Sequence, residues 1–322
     1  MTLSYVQRLL CLCFAFFFLW NAGSSLLVWA FSRLAVRFAA TRQSRPAANF
    51  LLAVRLLPFT AATLFVMLLC VPSYVQLEPA ATAEDVGLSC VILGTLGAAL
   101  WLLSLTRSIR AIVRCAVHNR RIARVADKIY FPQHRSSALV LDAAQPLLAL
   151  IGLLRPRLIV SRGLLQSLSA QELDAALTHE QAHRSSRDNL KRLLLLLAPD
   201  TLPFFNPLRA LEPTWGKFTE WAADDCAAAG NPQRALSLAA ALLRVARVGS
   251  TPTLPYLSTS LLARDCDLEI RVDRLLHPAA LPKRSRLRFR AVVVFGALAV
   301  GALLLAPSTL SFIHELQELL LH

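Results

Sequence analysis

The chain has 322 residues, 56% of them hydrophobic and only 17% charged, with a formal net charge of +14. A mean hydropathy of +0.52 excludes an ordinary soluble domain and points to a membrane protein. The basic excess alone would suit a nucleic-acid binder, but its placement along the chain argues against that class.

Charge-free runs occupy residues 9–32, 56–77, 86–106 and 291–313. Each reaches the roughly 20 helical residues that cross a hydrocarbon core. The first outlasts the apolar core of a signal peptide and follows a single basic residue, Arg8, so it reads as an uncleaved span. Arg33, Arg37, Arg42, Arg45 and Arg55 fill the first loop, whereas Glu78, Glu84 and Asp85 fill the second. Arg107, Arg110, Arg114, Arg120, Arg121 and Arg124 follow the third run, and Lys283, Arg284, Arg286, Arg288 and Arg290 precede the fourth. Basic residues collect on the cytoplasmic side of a bilayer. The expected order is therefore three spans with short loops (1–106), a cytoplasmic domain (107–290), a fourth span (291–309) and an extracytoplasmic tail (310–322), with both termini outside. Cys11, Cys13, Cys70 and Cys90 fall in the spans and Cys115, Cys226 and Cys266 in the domain. No C-x-x-C pair occurs, so the cysteines read as small apolar fillers.

Within the domain, Ile109, Ile112, Val113 and Ala116 are set among arginines over 107–128, which predicts a basic helix continuing the third span along the membrane surface. ALVLDA (138–143), PLLALIGLL (146–154) and RLIVS (157–161) are short apolar runs broken by Pro, Gly and Asp. They predict a small β-meander or hairpin. Everything after Arg162 is expected to be helical.

Ser169 and Glu172 have capping-box spacing, so a helix should begin at Ala170. It carries His179, Glu180 and His183, an H-E-x-x-H pattern. Residues at i and i+4 share a helix face, so both imidazoles reach one ion while Glu180, one position on, addresses a water without ligating. A catalytic zinc wants a third protein ligand. Glu220 and Asp224, again at i and i+4 on a second helix ending near Gly230, offer one carboxylate for the metal and one to orient an imidazole. Between the two helices, LLLLLAPDTLPFFNPL (193–208) is too short to span and holds three prolines. A core hairpin and a re-entrant segment both fit it.

RPRLIVSRGLLQSLSAQELDAALTHEQAHRSSRDNL, then FFNPL and EWAADDCAAA, resembles the BlaR/MecR-type membrane zinc metallopeptidases, antirepressor peptidases of bacterial gene regulation. The resemblance covers 138 to about 276. It implies a mainly α-helical polytopic membrane protein with a cytoplasmic gluzincin-like domain. It also implies Zn2+ held by His179, His183 and Glu220, Glu180 as general base and acid, and Asp224 supporting a ligand. The bacterial inner membrane would be the location and a cytoplasmic transcriptional repressor the substrate. The chain stops at His322, so an appended penicillin-binding sensor is not expected. The sequence also weakly resembles the CAAX-processing membrane zinc peptidases. Asp188 is read as a helix-end anchor through Arg184 or Arg187, or as an exposed turn. Arg271 stands where such peptidases often carry an arginine, with a solvated face as its ordinary alternative. His277 is a candidate oxyanion stabiliser, and His118, His134, His314 and His322 are set apart from the metal.

In the tail, Phe312, Ile313, Leu316, Leu319 and Leu320 recur at helical spacing opposite Glu315, Gln317 and Glu318. That predicts an amphipathic helix able to dock an extracytoplasmic sensor partner. Membrane lipid and a protein substrate are the other expected partners, with no direct contact to nucleic acid. A non-catalytic signalling scaffold retaining the fold is the competing class. A transporter or channel would need polar residues inside the spans, and these have almost none.

Overall fold

The computed structural model describes residues 4–78, 86–199, 208–247, 255–261, 268–277 and 307–321. Helix α1 (Tyr5–Ala40) packs against α2 (Ser44–Phe65) and α4 (Leu88–Val125), and α2 continues through a π-helical turn (Val66–Cys70) into α3 (Val71–Leu77). Tyr5–Ala40, Ser44–Leu77 and Leu88–Val125 are each long and apolar enough to cross a membrane. Residues 291–306 of the fourth predicted span lie outside the described residues, as do 200–207 of the 193–208 segment.

Small residues bring α1 and α4 together. A Cβ on Gly97 would lie 2.1 Å from the Phe14 carbonyl oxygen, and one on Gly94 2.9 Å from that of Cys11, so only glycine permits this approach. Phe17, Phe59 and Trp101 fill the neighbouring space with tilted and edge-on ring contacts. As expected, α4 does not stop at the end of its apolar run. It continues as one helix to Val125, with Cys115 and Ile122 buried on the side facing the sheet.

That sheet departs from the expected meander. Its strands are β1 (Asp127–Phe131), β2 (Ser136–Leu141), β3 (Leu148–Ile151), β4 (Arg157–Ser161) and β5 (Ser258–Ser260), in the order β1-β2-β4-β3-β5. β2 pairs with β4 in parallel, and the other pairs are antiparallel. The expectation of helix alone after Arg162 is corrected by β5, a three-residue strand too short to leave a period in the sequence. Ala138, Val140, Leu148, Leu150, Leu158 and Val160 pack toward the helices α6 (Ala170–Ser186) and α9 (Pro232–Arg247). Ala149, Ile151 and Ile159 pack toward Cys115 and Ile122 of α4. Both faces are covered, which explains the unbroken apolar runs of β3 and β4.

α5 (Arg162–Ser167) links β4 to α6, and α7 (Asp188–Leu197) follows α6 after one left-handed residue, Arg187. α8 (Leu211–Ala228) then lies along α2, with Leu211, Trp215 and Phe218 seated on Ala47, Ala48 and Leu51. Arg55 of α2 bonds Glu212 at 3.3 Å, and Ser44 donates to Asp225 at 2.6 Å. α10 (Leu268–Leu276) packs on α8 and α9.

The predicted tail helix is present as α11 (Pro307–Leu321). Its Ile313 and Gln317 are buried, and Leu316 and Leu320 pack on the α1–α2–α4 bundle, while Phe312 and Leu319 stay exposed. Most of the apolar face that suggested a docking partner is thus turned onto the protein's own helices.

Candidate metal centre

α6 starts where its capping box places it. Ser169 Oγ accepts from the Glu172 amide at 3.3 Å, and Glu172 accepts from the Ser169 amide at 2.7 Å. A cap of this kind contributes about 1 kcal/mol and fixes the helix register. From that register His179 and His183 project from one face and are fully buried, with their Nε2 atoms 3.1 Å apart. Glu220 of α8 comes up between them. Its Oε2 lies 3.5 Å from His179 Nε2 and its Oε1 3.7 Å from His183 Nε2. One ligand atom from each of the three residues falls within 4.8 Å of the others.

The far side of each imidazole faces a carboxylate. His179 Nδ1 stands 3.0 Å from Asp224 Oδ1, and His183 Nδ1 stands 2.8 Å from Asp188 Oδ2. His183 Nδ1 is hydrogen-bonded to Asp188, and both Nε2 atoms face Glu220. Asp224 was expected in this role. Asp188 is placed differently from either reading of the sequence. It is buried rather than exposed, and its partners are His183 and Lys191, the latter at 2.9 Å. The cause is the single left-handed residue Arg187, with φ 55°, which turns the chain so sharply that the first residue of α7 folds back on α6. A left-handed conformation in a non-glycine residue costs about 1–3 kcal/mol, so the surrounding packing must enforce it.

Arg271 is likewise no solvated residue. Its Nε and Nη2 bind the two Asp224 oxygens at 2.8 and 2.7 Å, and its Nη1 lies 3.3 Å from Glu220 Oε2 and donates to the Leu261 carbonyl at 2.9 Å. It is an internal brace from α10 to α8. His277 is not brought into the site. It is exposed and paired with Asp273 one turn earlier at 3.0 Å. Among the other histidines, His134 pairs with Asp174 at 3.0 Å and His314 with Glu318 at 3.5 Å.

Glu180 is also buried. Thr259 of β5 donates to its Oε2 at 3.4 Å, and Oε1 has no hydrogen-bond partner among the described residues. Burial raises its carboxyl above the ordinary range, against the pull of His183 and His179. Burial would likewise raise Glu220, but the charge of His183 above all, with that of Arg271, holds it well below the usual carboxylate value. For His183, burial alone would favour the neutral ring, yet Glu220 and Asp188 overcome it and raise the group to about 10. The centre thus gathers Glu180, Glu220, Asp188 and Asp224 around two imidazoles and calls for positive charge at the Nε2 atoms.

The residues present fit a metal cation. Two imidazole Nε2 atoms 3.1 Å apart and the Glu220 oxygens, which make no hydrogen bond among the described residues, converge in a buried space. A proton satisfies only one of these acceptors, whereas a divalent cation satisfies all three ligands at once. Beside the centre, a cavity of about 270 Å³ is lined by Leu150, Leu153, Leu154 and Pro156 on one side and Arg184, Arg187 and Asn189 on the other. Nothing in the local sequence announced it, because the β3–β4 turn and the α6–α7 turn that shape it meet only in the fold.

Fold and site together define a protein with three helices long and apolar enough to cross a membrane and a buried His–His–Glu cluster able to bind a metal. The sequence model described as BlaR1 peptidase M56 matches residues 86–275, and the chain belongs to that family. It is a BlaR-type membrane peptidase by family and by its apolar helices. No curated protein matches it.

Proposed function

We propose that the protein is a zinc metalloendopeptidase that cuts a regulatory protein at the cytoplasmic face of a bacterial inner membrane. The observation that carries this reading is the convergence of His179, His183 and Glu220 with a buried, partly unpartnered carboxylate, Glu180, on the same helix as the histidines. His179, His183 and Glu220 would hold the zinc, with Asp224 and Asp188 fixing the two imidazoles. A bound zinc supplies Lewis acidity, polarising a scissile carbonyl and acidifying a water. Glu180 takes the proton of the attacking water on its free oxygen and returns it to the leaving amine, a task suited to a carboxyl raised by burial. Thr259 holds the other Glu180 oxygen and so sets which one faces the reacting groups. Arg271 keeps Asp224 ionised and draws Glu220 to its side of the centre. The neighbouring cavity, with an apolar wall and two arginines, suits a substrate side chain of mixed character.

The orientation rests on the arginine distribution, which favours the domain end of the bundle as cytoplasmic. Cysteines introduced near residues 82 and 285 should label from outside and inside, respectively, and the reverse would move the site out of reach of cytoplasmic repressors. A transcriptional repressor is the substrate class that the resemblance to antirepressor peptidases implies. Cells carrying Glu180→Gln should accumulate an intact cytoplasmic protein that the wild type cuts, and the variant should co-purify with it. Identical cytoplasmic fragments in both strains would refute the peptidase reading.

A further inference from the structure

Cys11, Cys13, Cys70 and Cys90 lie in the apolar runs of the spanning helices, at the end of the bundle away from the His–Glu cluster. Cys11 Sγ on α1 is 3.5 Å from Cys90 Sγ on α4 and 3.3 Å from the Cys90 carbonyl oxygen. Cys13, two residues on and therefore on another side of α1, packs against the cluster that holds Cys70, the last residue of the π-helical turn. Gln317 of α11 is buried on the same residue, donating to the Cys70 carbonyl at 2.8 Å and reaching its sulfur at 3.2 Å. By contrast, Cys115 donates to the Leu257 carbonyl and Cys226 is exposed on α8.

A packing role explains small side chains at a close helix crossing, but it is indifferent to whether two sulfurs touch. Here the sulfurs of Cys11 and Cys90 meet. The pair is also asymmetric, with Cys11 half-buried on α1 and Cys90 fully buried on α4. One accessible thiol beside one sheltered thiol is the layout of an attacking and a resolving cysteine. The depth is suitable too. Arg8, ion-paired with Glu78 at 3.2 Å, marks the polar end of the bundle, and Cys11 lies three residues, about 4.5 Å of helix rise, beyond it.

We propose that Cys11–Cys90 is a dithiol–disulfide site, oxidised by exchange with a disulfide-bearing oxidant. The thiolate on α1 attacks one sulfur of the oxidant R–S–S–R, forming a mixed disulfide and releasing one R–S⁻, which takes up a proton. The buried partner then loses its proton and displaces the second R–S⁻. The pair gives up two protons and two electrons, and the oxidant leaves as two R–SH. The product staples α1 to α4.

The test uses the full chain in its membrane, treated with oxidised glutathione, blocked with N-ethylmaleimide under denaturing conditions and digested without reduction. Mass spectrometry should find Cys11 linked to Cys90 within one chain, with two maleimide sites lost. Cys90→Ala should leave glutathione trapped on Cys11. The proposal is overturned if Cys11 and Cys90 stay free, whether or not Cys226 is glutathionylated. Links from either to Cys13, Cys70 or Cys266, or links between chains, would overturn it equally. The wild-type mapping needs no variant, so a variant that fails to fold does not remove the test.

Discussion

Replacing Asp188 and Asp224 separately by asparagine should give two different defects, although each carboxylate faces one ligand imidazole. Asparagine keeps the shape and still accepts from Nδ1, but it removes the charge that makes the ring a better donor to a metal. Loss of such a supporting carboxylate weakens metal binding by about 10–100-fold, or about 1.4–2.8 kcal/mol. Both variants should show this. They part over what is left behind. The cation beside Asp188 is Lys191, which retains 19% exposure and can turn to water. The cation beside Asp224 is Arg271, which is 2% exposed and bound through both its Nε and Nη2. Removing one member of a buried ion pair costs about 3–5 kcal/mol, because the other is left without compensation. Glu220, 3.3 Å from Arg271, remains as a partial substitute and places the expected loss toward the lower end of that range. Asp188→Asn should therefore weaken metal binding in a chelator competition with little change in the thermal unfolding of metal-free protein. Asp224→Asn should weaken binding and lower the unfolding temperature as well. Equal unfolding temperatures for the two variants, or an Asp188→Asn protein with unaltered metal affinity, would refute the reasoning.

Glu180→Gln should retain one metal per chain by elemental analysis and lose peptidase activity, since it removes the proton acceptor and no ligand. Glu220→Gln should lose most of its metal under the same dialysis. Metal binding should be linked to protons. His183 of the metal-free protein is held charged up to about 10 by Glu220 and Asp188, so at neutral pH the metal must expel about one proton. Affinity should thus rise about tenfold per pH unit across the neutral range, and calorimetry in buffers of different ionisation enthalpy should count the proton; a flat profile would contradict this charge assignment. Gly97→Leu should force α1 from α4, because even a Cβ there meets the Phe14 carbonyl at 2.1 Å, and it should lower folded yield in membranes far more than Gly216→Leu, where nothing lies within 4 Å of a Cβ.

What could be read from the sequence was whatever local spacing encodes. The capping residues Ser169 and Glu172 fix where α6 begins, and that register places His179 and His183 side by side with no help from distant parts of the chain. Glu220 and Asp224 were legible for the same reason, as a helical pair on an apolar helix. Asp188 and Arg271 were not. The first depends on a left-handed arginine whose conformation is imposed by packing. The second owes its burial to α10 folding across α8, a contact between positions 47 residues apart in the chain. The sheet was only half legible, because alternation and apolar runs indicate strands without indicating partners. The parallel pairing of β2 with β4 and the late insertion of β5 are properties of the assembled sheet.

The ligand set is divided between two bodies. The histidines travel with α6, whose apolar side is sunk in the sheet and α9, whereas Glu220 travels with α8, whose other side is bolted to α2 through Trp215, Phe218 and the Arg55–Glu212 bond. A slip of α2 by a single residue's rise, about 1.5 Å, would carry the carboxylate along by the same amount. That distance is large beside the 3.5 and 3.7 Å gaps that now separate it from the two rings. The grip of the centre on a cation is therefore a measure of the axial registry between a spanning helix and the domain beneath it.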